Sequence, residues 1–335
     1  MTSGGRIAVD AMGGDHAPEA VVRGAVLAVR QGIPVTLVGD TARLAPLIPD
    51  GVQVPIVHAS DVVGMEESAV GAVRRRPDSS LRVALQLLAD GKASAVVSCG
   101  NTGALLVGAV LTVGVLEVVE RPPIATVLPR SDGGQLVLLD VGANVDCRAE
   151  QLACFALLGA AWAEVLGIES PRVGVLSNGH EHGKGNALAR ETLALVQELS
   201  VRGVGFVEPS SAFAGACDVL VCDGFVGNAI VKAVEGAADV VTHLLGQQIQ
   251  SSLSARAGAL LMKGAFEGFQ RAIRWDSYGG GLLLGTKGVV VAAHGRSNEA
   301  AVAAAIDMAH RAARDGLVAN LQSRLGALGA PRRTP

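Results

Sequence analysis

Short apolar runs alternate with longer amphipathic segments along most of the chain. Val35–Val38, Ala95–Ser98 and Leu136–Leu139 are rich in Val, Leu and Ala, a pattern typical of strands that are buried on both faces of a parallel sheet. Most of these runs are followed by a turn and then by a stretch with helical spacing. The alternation predicts an α/β fold with a doubly wound, mostly parallel sheet.

Two segments modify this simple picture. Ile124–Leu128 and Leu136–Leu139 are separated by the turn sequence S-D-G-G, which predicts an antiparallel hairpin and therefore a mixed sheet. Ala104–Leu116 is apolar throughout and predicts a helix that is buried on all sides, because it is shorter than the roughly 18 residues of a membrane span. With no internal repeat or linker in sight, we treat residues 1–335 as a single domain, with residues 329–335 as a frayed tail.

Composition narrows the function classes. The chain has 335 residues, 50% of them hydrophobic and only 3% aromatic, so its core must consist mainly of Val, Leu and Ala. A net charge of −3 gives no indication of a nucleic-acid partner. The segment Met1–Arg6 lacks the apolar stretch of a signal peptide, and the five cysteines lack metal-ligand or disulfide spacing. We therefore predict a cytoplasmic protein with reduced thiols.

Five polar loops stand at predicted strand ends, each ahead of a helix. They are Asp10–His16, Ser98–Gly103, Asp140–Asp146, Ser177–Asn186 and Asp223–Asn228. Their glycines allow close approach of the backbone to a ligand, and helix N-termini attract anions. Together they predict an anion or acyl-transfer site, although Asp140 and Asp146 alone are also explained as turn and helix caps. The first strand is not followed by a G-x-G-x-x-G or Walker motif, which disfavours a nucleotide site.

Two residues in these loops are the strongest candidates for a catalytic or ligand-binding role. Lys184 lies between two glycines in G-K-G-N, where backbone can approach a ligand; a solvated surface lysine is the alternative. His16 follows Asp15, which is placed to orient its ring; the alternative is a structural histidine in a turn.

Three further features favour structural explanations. The sequence His180-Glu-His182 lacks the H-E-x-x-H spacing of a zinc site, so we predict no metal. Cys99 follows a strand and is a possible nucleophile, but a buried packing thiol is the favoured interpretation. Arg74–Arg76 is most often a solvated run, and it is also a candidate surface for an acidic partner protein.

At these loops the sequence resembles the PlsX family, the bacterial phosphate acyltransferases. Seven segments carry the resemblance over almost the whole chain. In chain order they are I-A-V-D-A-M-G-G-D-H-A-P (Ile7–Pro18), S-C-G-N-T-G-A-L (Ser98–Leu105), R-P-P-I-A (Arg121–Ala125), L-L-D-V-G-A-N-V-D (Leu138–Asp146), H-G-K-G-N (His182–Asn186), C-D-G-F-V-G-N (Cys222–Asn228) and Y-G-G-G-L-L-L-G (Tyr278–Gly285).

The resemblance implies transfer of an acyl group from acyl carrier protein to inorganic phosphate, giving acyl phosphate for phospholipid synthesis. It also implies a homodimer and a two-lobed fold similar to isocitrate and isopropylmalate dehydrogenases and to phosphotransacetylases. Three positions depart from the family. Cys99 replaces the usual Ala, Ser177 stands where Asn is common, and Glu208–Phe213 lacks an expected Arg and Asp. We expect these departures to affect acyl or carrier specificity, as in a specialised secondary-pathway paralogue.

The reaction implied by the resemblance suggests a role for each candidate residue. Lys184 would bind phosphate or the oxyanion, and Asn144 and Asn228 would donate to the acyl carbonyl. His16 would protonate the leaving sulfur or hold phosphate. Asp10 and Asp140 would orient the donors. The remaining phosphate-binding candidates are Gly13, Gly14, Asp15, Gly100, Asn101, Thr102, Gly103, Gly185 and Asn186. No cofactor is expected.

Other functions are kept as alternatives. A decarboxylating dehydrogenase of related fold would need an acidic metal cluster and a dinucleotide site, and the sequence gives no clear sign of the cluster. A non-catalytic module that binds carrier protein or membrane would keep the fold but lose the site. A coenzyme A-dependent phosphotransacylase differs only in its acyl donor.

The last sequence feature is an apolar stripe with basic residues between its members. It runs from Leu253 to Ile273 with spacings of three and four, which places much of the apolar set on one helix face. Packing in a dimer core is the first explanation. Peripheral contact with an anionic membrane is the second.

Overall fold

The structure of the protein, a computed structural model, describes residues 5–181, 183–262, 264 and 280–327. Its strands are β1 Ile7–Asp10, β2 Val35–Gly39, β3 Ile56–His58, β4 Ala95–Ser98, β5 Ile124–Pro129, β6 Gln135–Leu139, β7 Arg172–Leu176, β8 Arg202–Val207, β9 Val219–Val221, β10 Gly281–Leu283 and β11 Val289–Ala292. Its helices are α1 Glu19–Arg30, α2 Thr41–Leu44, α3 Ala69–Arg75, α4 Ser80–Ala89, α5 Thr102–Gly108, α6 Ala149–Val165, α7 Ala187–Gln197, α8 Pro209–Phe213, α9 Gly224–Gln250, α10 Leu253–Leu261, α11 Glu299–Arg314 and α12 Leu317–Ala327. A 3₁₀ turn, Ala45–Leu47, follows α2, and a π turn, Ala109–Val113, follows α5.

The described strands form one eleven-stranded sheet in the order β3-β2-β1-β4-β11-β10-β5-β6-β9-β7-β8. The first five strands are parallel to one another, and so are the last four. Between them, β10 and β5 make three antiparallel pairings, one of which is the predicted hairpin of β5 with β6. The mostly parallel α/β sheet is confirmed. The two parallel blocks run in opposite directions within the sheet.

The strands are buried because their side chains point alternately to the two faces of the sheet and pack in a hydrophobic core on each face. On one face a single continuous core includes Val9, Val97 and Leu139. On the other face the core is divided, with one part under the first block and another under the second. Val141, just after β6, packs against both parts, so the loop that follows β6 lies where the two blocks meet.

The apolar segment Ala104–Leu116 differs from its prediction. It folds as α5 and the π turn, and Leu111 is 62% exposed, so burial on all sides is wrong. The segment covers the sheet with one face and leaves the other in solvent. None of the described helices is long and apolar enough to cross a membrane.

Candidate functional site

The loop after β6 is built around one buried carboxylate. Asp140 accepts hydrogen bonds from the backbone N–H groups of Ile124 (3.0 Å), Gly142 (3.1 Å), Ala143 (3.0 Å) and Asn144 (2.6 Å), and from the Asn144 side chain (2.8 Å). Burial raises the pKa of Asp140, although these donors oppose the shift. The carboxylate therefore shapes the loop, in keeping with its predicted orienting role.

Asn144 was predicted to donate a hydrogen bond to the acyl carbonyl, but its side-chain amide already bonds within the protein. Its amide nitrogen donates to the carbonyl oxygen of Pro122 (3.2 Å) and to Asp140 (2.8 Å). An amide nitrogen has two hydrogens, so both are used inside the protein. In this conformation Asn144 positions the loop and has no hydrogen left for a substrate carbonyl.

Helix α9 packs onto this loop through glycines. A Cβ at Gly227 would lie 1.8 Å from the carbonyl oxygen of Asp140, and one at Gly224 would lie 2.7 Å from that of Asn144. The close contact brings the exposed Asn228 beside Gly142, where a Cβ would be 3.8 Å from the Asn228 side chain. The two glycines of the G-F-V-G-N motif thus allow α9 to pack closely on the loop, and this packing positions Asn228 over it.

The Ser177–Asn186 loop lies at the carboxyl end of β7. Asn178 accepts from the N–H of Gly185 (3.0 Å), and Asn186 caps α7 by accepting from Ala189 (2.8 Å). Lys184 is exposed and has no ion pair among the residues that the structure describes. Its aliphatic stem runs along Gly179, where a Cβ would lie 2.7 Å from Cγ of Lys184. His182 lies outside the described residues.

A cavity of about 610 Å³ opens beside this loop, between the ends of β7 and β9 and the first turns of α7 and α9. Such a volume is typical of a small-molecule site. Its lining includes Ser177, Gly185, Asn186, Asp223 and Val226. Two of the predicted loops, Ser177–Asn186 and Asp223–Asn228, therefore meet here.

The remaining predicted loops form a second group at the ends of β1 and β4. Asp10 is buried and accepts from the Ser98 hydroxyl (2.7 Å) and from the N–H of Met12 (3.3 Å). Burial raises the pKa of Asp10. Like Asp140, it joins two loops from inside and does not face solvent.

Several backbone N–H groups that were predicted to bind phosphate already donate hydrogen bonds within the protein. The N–H of Gly13 bonds to Asp10, that of Asp15 to the carbonyl of Gly295 (2.8 Å), and that of Gly100 to Ser98 (3.1 Å). Asn101 caps α5 through Ala104, and its amide nitrogen bonds three carbonyls between residues 64 and 67. The N–H groups of Thr102 and Gly103, in the first turn of α5, make none of the hydrogen bonds found in the described part of the chain. They are therefore the groups best placed for an anion.

His16 is exposed and lines a separate cleft of about 640 Å³ together with Asp15, Arg23 and Glu299. Among the described residues, the Asp15 side chain makes no hydrogen bond to the His16 ring, so the predicted orientation of the ring by Asp15 is absent from this conformation.

A contact between a lysine and a histidine lies beside this group, and the sequence did not predict it. Nζ of Lys232 on α9 lies 2.7 Å from Nε2 of His294, which follows β11. Nδ1 of His294 accepts from the N–H of Arg296 (3.1 Å). Burial, and then the charge of Lys232, lower the pKa of His294. The signal available was a sixth polar turn, H-G-R-S-N, which follows the last strand and precedes a helix.

The five predicted loops thus form two groups, and α9 connects them. Asn228 and Lys232 are four residues apart and share one helix face. Asn228 lies beside the loop after β6, and Lys232 reaches the group at the ends of β1, β4 and β11. We take this face of α9, with Lys184 and the cavity on one side, as the candidate active site.

The cysteines are poor nucleophiles. Burial raises the pKa of Cys99 to about 12 and that of Cys154 to about 12. Cys222 is buried, and its pKa is raised for the same reason. Because the thiolate is the reactive form, this supports the interpretation of Cys99 as a packing thiol.

Comparisons with known proteins identify the family of this chain. Residues 5–320 match the family described as fatty acid synthesis protein. A phosphate acyltransferase of Geobacter sulfurreducens is 46% identical over 326 residues, covering 96% of this chain and 94% of that protein.

Two solved structures share the fold. A phosphotransacetylase from Streptococcus pyogenes aligns with a TM-score of 0.62 at 18% identity, over 93% of this chain and 94% of that one. The 4-hydroxythreonine-4-phosphate dehydrogenase of Klebsiella pneumoniae aligns with a TM-score of 0.55 at 13% identity, over 92% and 99%. The expected likeness to phosphotransacetylases is confirmed.

Proposed function

We propose that this chain, which belongs to the fatty acid synthesis protein family, is a phosphate acyltransferase that moves a fatty acyl group from acyl carrier protein to inorganic phosphate. The product is an acyl phosphate for phospholipid synthesis. The observation that carries the proposal is the likeness, over 96% of the chain, to a phosphate acyltransferase at 46% identity. Two features of the site support it: Asn228 and Lys232 share one face of α9, and the loop that carries Lys184 lines a cavity together with α9.

The chemistry needs little proton transfer. A phosphate monoester has a second pKa of about 6, and free phosphate is likewise largely dianionic near neutral pH, so it attacks without a strong base. The leaving thiol has a pKa of about 8.5 by analogy with Cys. The protein must mainly bind a dianion beside a thioester and stabilise the oxyanion that forms.

In the proposed reaction a phosphate oxygen forms a bond to the acyl carbon, and the carbon–sulfur bond then breaks. Lys184 and the N–H groups of Thr102 and Gly103 hold negative charge, and Asn228 donates to the acyl carbonyl. The sulfur leaves as a thiolate and takes a proton from solvent, because His16, the predicted donor, lines a separate cleft. Asp10, Asp140 and Asn144 position these groups from inside the protein.

Acyl carrier protein is the proposed donor, and α3 offers a basic surface for such an acidic partner. Arg74 and Arg75 are exposed, whereas Arg76 is held by Asp61 (2.6 Å) and Glu67 (3.0 Å). The docking charge therefore comes from Arg74 and Arg75. Changing both to Ala is expected to raise KM for the carrier substrate and to flatten its dependence on salt, because steering between charges is screened. Unchanged values would place docking elsewhere.

The deciding experiment compares acyl donors. The purified protein is given matched acyl chains on carrier protein or on coenzyme A, with and without phosphate, and release of free thiol is measured. The proposal expects phosphate-dependent release that is faster from carrier protein. Faster release from coenzyme A would favour the phosphotransacylase alternative. An absence of phosphate-dependent release from either donor would favour a non-catalytic binding module.

Dimer formation and membrane contact are proposed from exposed apolar surface. On α9, Val240, Val241 and Leu244 are 58%, 49% and 54% exposed. At the end of α10, Leu260 and Leu261 are 77% and 90% exposed. Residues 263 and 265–273 of the predicted stripe lie outside the described residues. We propose that the α9 patch packs against a second copy and that the end of α10 contacts anionic lipid.

These two proposals are separable. Leu260→Glu with Leu261→Glu is expected to abolish sedimentation with anionic liposomes while the dimer and the soluble activity remain. Loss of the dimer in that variant would instead assign the end of α10 to the subunit interface. Wild-type protein that never sediments would end the membrane proposal.

A further inference from the structure

The cavity between α7 and α9 contains a polar group without a partner. The hydroxyl of Ser177, a residue only 9% exposed, makes no hydrogen bond in the described part of the chain. A buried hydroxyl left unpaired costs free energy, so it indicates a missing acceptor or donor. Ser177 lies on the polar side of the cavity, where a Cβ at Gly185 would be 3.4 Å from its oxygen.

The rest of the cavity wall is mostly apolar and comes from four helices, including Pro209 of α8, and from two strand ends. Leu152 belongs to α6, Leu188 to α7, and Val226 and Ile230 to α9. The polar side is formed by the loop that carries Lys184. The cavity therefore combines an apolar interior with one polar side.

We propose that this cavity binds the fatty acyl chain of the thioester, with the Ser177 hydroxyl donating to the acyl carbonyl. The inference rests on the proposed function and deepens it. It assigns substrate chain selection to Leu188 and Ile230.

The charges at the cavity favour a neutral chain over phosphate. Two helix N-termini open here, but each is capped by the protein itself. Asn186 accepts from Ala189 at α7 (2.8 Å), and Asp223 accepts from Val226 at α9 (2.9 Å). The carboxylate of Asp223 would repel a dianion inside the cavity. Phosphate is thereby directed to the outer side of the loop, toward Lys184, which leaves the apolar interior to the acyl chain.

The test is a chain-length profile of kcat/KM for acyl carrier protein substrates with phosphate. Leu188→Trp and Ile230→Trp fill the interior, so each is expected to shift the preference toward shorter chains. Burial of one methylene is worth about 0.8 kcal/mol, so kcat/KM falls about fourfold for each methylene that no longer fits. Ala194→Trp, at an exposed position of the same helix as Leu188, is the matched control and should keep the wild-type profile.

Ser177→Ala is expected to lower kcat/KM about equally for all chain lengths, roughly two- to tenfold, the usual value of one hydrogen bond. If a Trp variant does not fold by circular dichroism, Leu188→Phe and Ile230→Phe replace it. Unchanged profiles in both folded interior variants would overturn the assignment. A wild-type protein with no phosphate-dependent release would instead refute the proposed function itself, so the two failures are distinguishable.

Discussion

Gly227→Ala tests whether the packing of α9 on the Asp140 loop sets the reaction geometry. The added Cβ would lie 1.8 Å from the carbonyl oxygen of Asp140, 2.9 Å from its carbonyl carbon and 3.0 Å from Sγ of Cys222. Carbon atoms rarely approach a backbone oxygen more closely than about 3 Å, since van der Waals contact lies near 3.5 Å. The helix or the loop must therefore move by more than about 1 Å.

The loop is the less movable partner, because the Asp140 side chain accepts five hydrogen bonds that tie it to β5 and to its own turn. The displacement falls on α9, which carries Asn228 and Lys232. A misplacement of about 1 Å in a reacting group costs on the order of 10²-fold in rate. We expect that loss in kcat/KM for phosphate-dependent thiol release.

Gly236→Ala is the matched control on the same helix. No atom lies within 4 Å of a Cβ at this exposed position, so Ala should raise stability by about 0.5–1 kcal/mol, because glycine is unfavourable inside a helix. Activity should stay at the wild-type level. The reasoning would be refuted by a Gly227→Ala protein that is folded and melts as wild type yet keeps its activity within about threefold.

Three further predictions concern single residues. Lys184→Ala should lower turnover by about 10²- to 10³-fold, the size seen for loss of one oxyanion donor; near wild-type turnover at saturating phosphate would remove Lys184 from the mechanism. Cys99→Ala should keep activity within a few-fold, because its thiol pKa of about 12 leaves almost no thiolate at neutral pH; an acyl group trapped on Cys99 by mass spectrometry would contradict this. Burial would raise the pKa of Asp218, but hydrogen bonds from Arg172 and Arg130 outweigh it and hold the pKa at about 2, below the ordinary 3.8. This depressed pKa contributes about 2 kcal/mol of stability, which is present above about pH 4 and lost as the pH falls toward 2. Urea unfolding of Asp218→Asn should therefore show lower stability at pH 7 and a weaker acid dependence, and an unchanged acid profile would contradict it.

The sequence predicted the elements of the fold better than their arrangement. Buried runs such as Val35–Val38 and Leu136–Leu139 fold as strands, and the S-D-G-G turn joins β5 to β6. The missed strand is β10, three residues within a glycine-rich segment that gives no strand signal. Because β10 is antiparallel to both β11 and β5, it contributes to the reversal between the two blocks. The sequence predicted one anion or acyl-transfer site from the five loops, whereas the structure divides them into two groups that α9 connects.

The sequence predicted the positions of some candidate residues but not the contacts of others. Lys184 is exposed in a polar loop between two glycines, and Asn228 is exposed near the start of α9, as the sequence predicts for both. The engagement of Asn144 and Asn101 was not predictable, because their partners are carbonyl oxygens that carry no sequence signal. The contact between Lys232 and His294 joins positions 62 residues apart, and no local pattern relates them.

A reaction with so little proton transfer explains why α9 is the central element of the site. Its glycines hold it against the Asp140 loop, its polar face presents Asn228 and Lys232, and Val226 and Ile230 line the cavity. Binding of the chain, contact with the carbonyl and placement of positive charge are therefore fixed by one rigid body. When rate depends on positioning and electrostatic preorganisation, a displacement of α9 should impair all three together. Substitutions on one face of α9 at a time should instead change only one property: chain preference, turnover or phosphate binding.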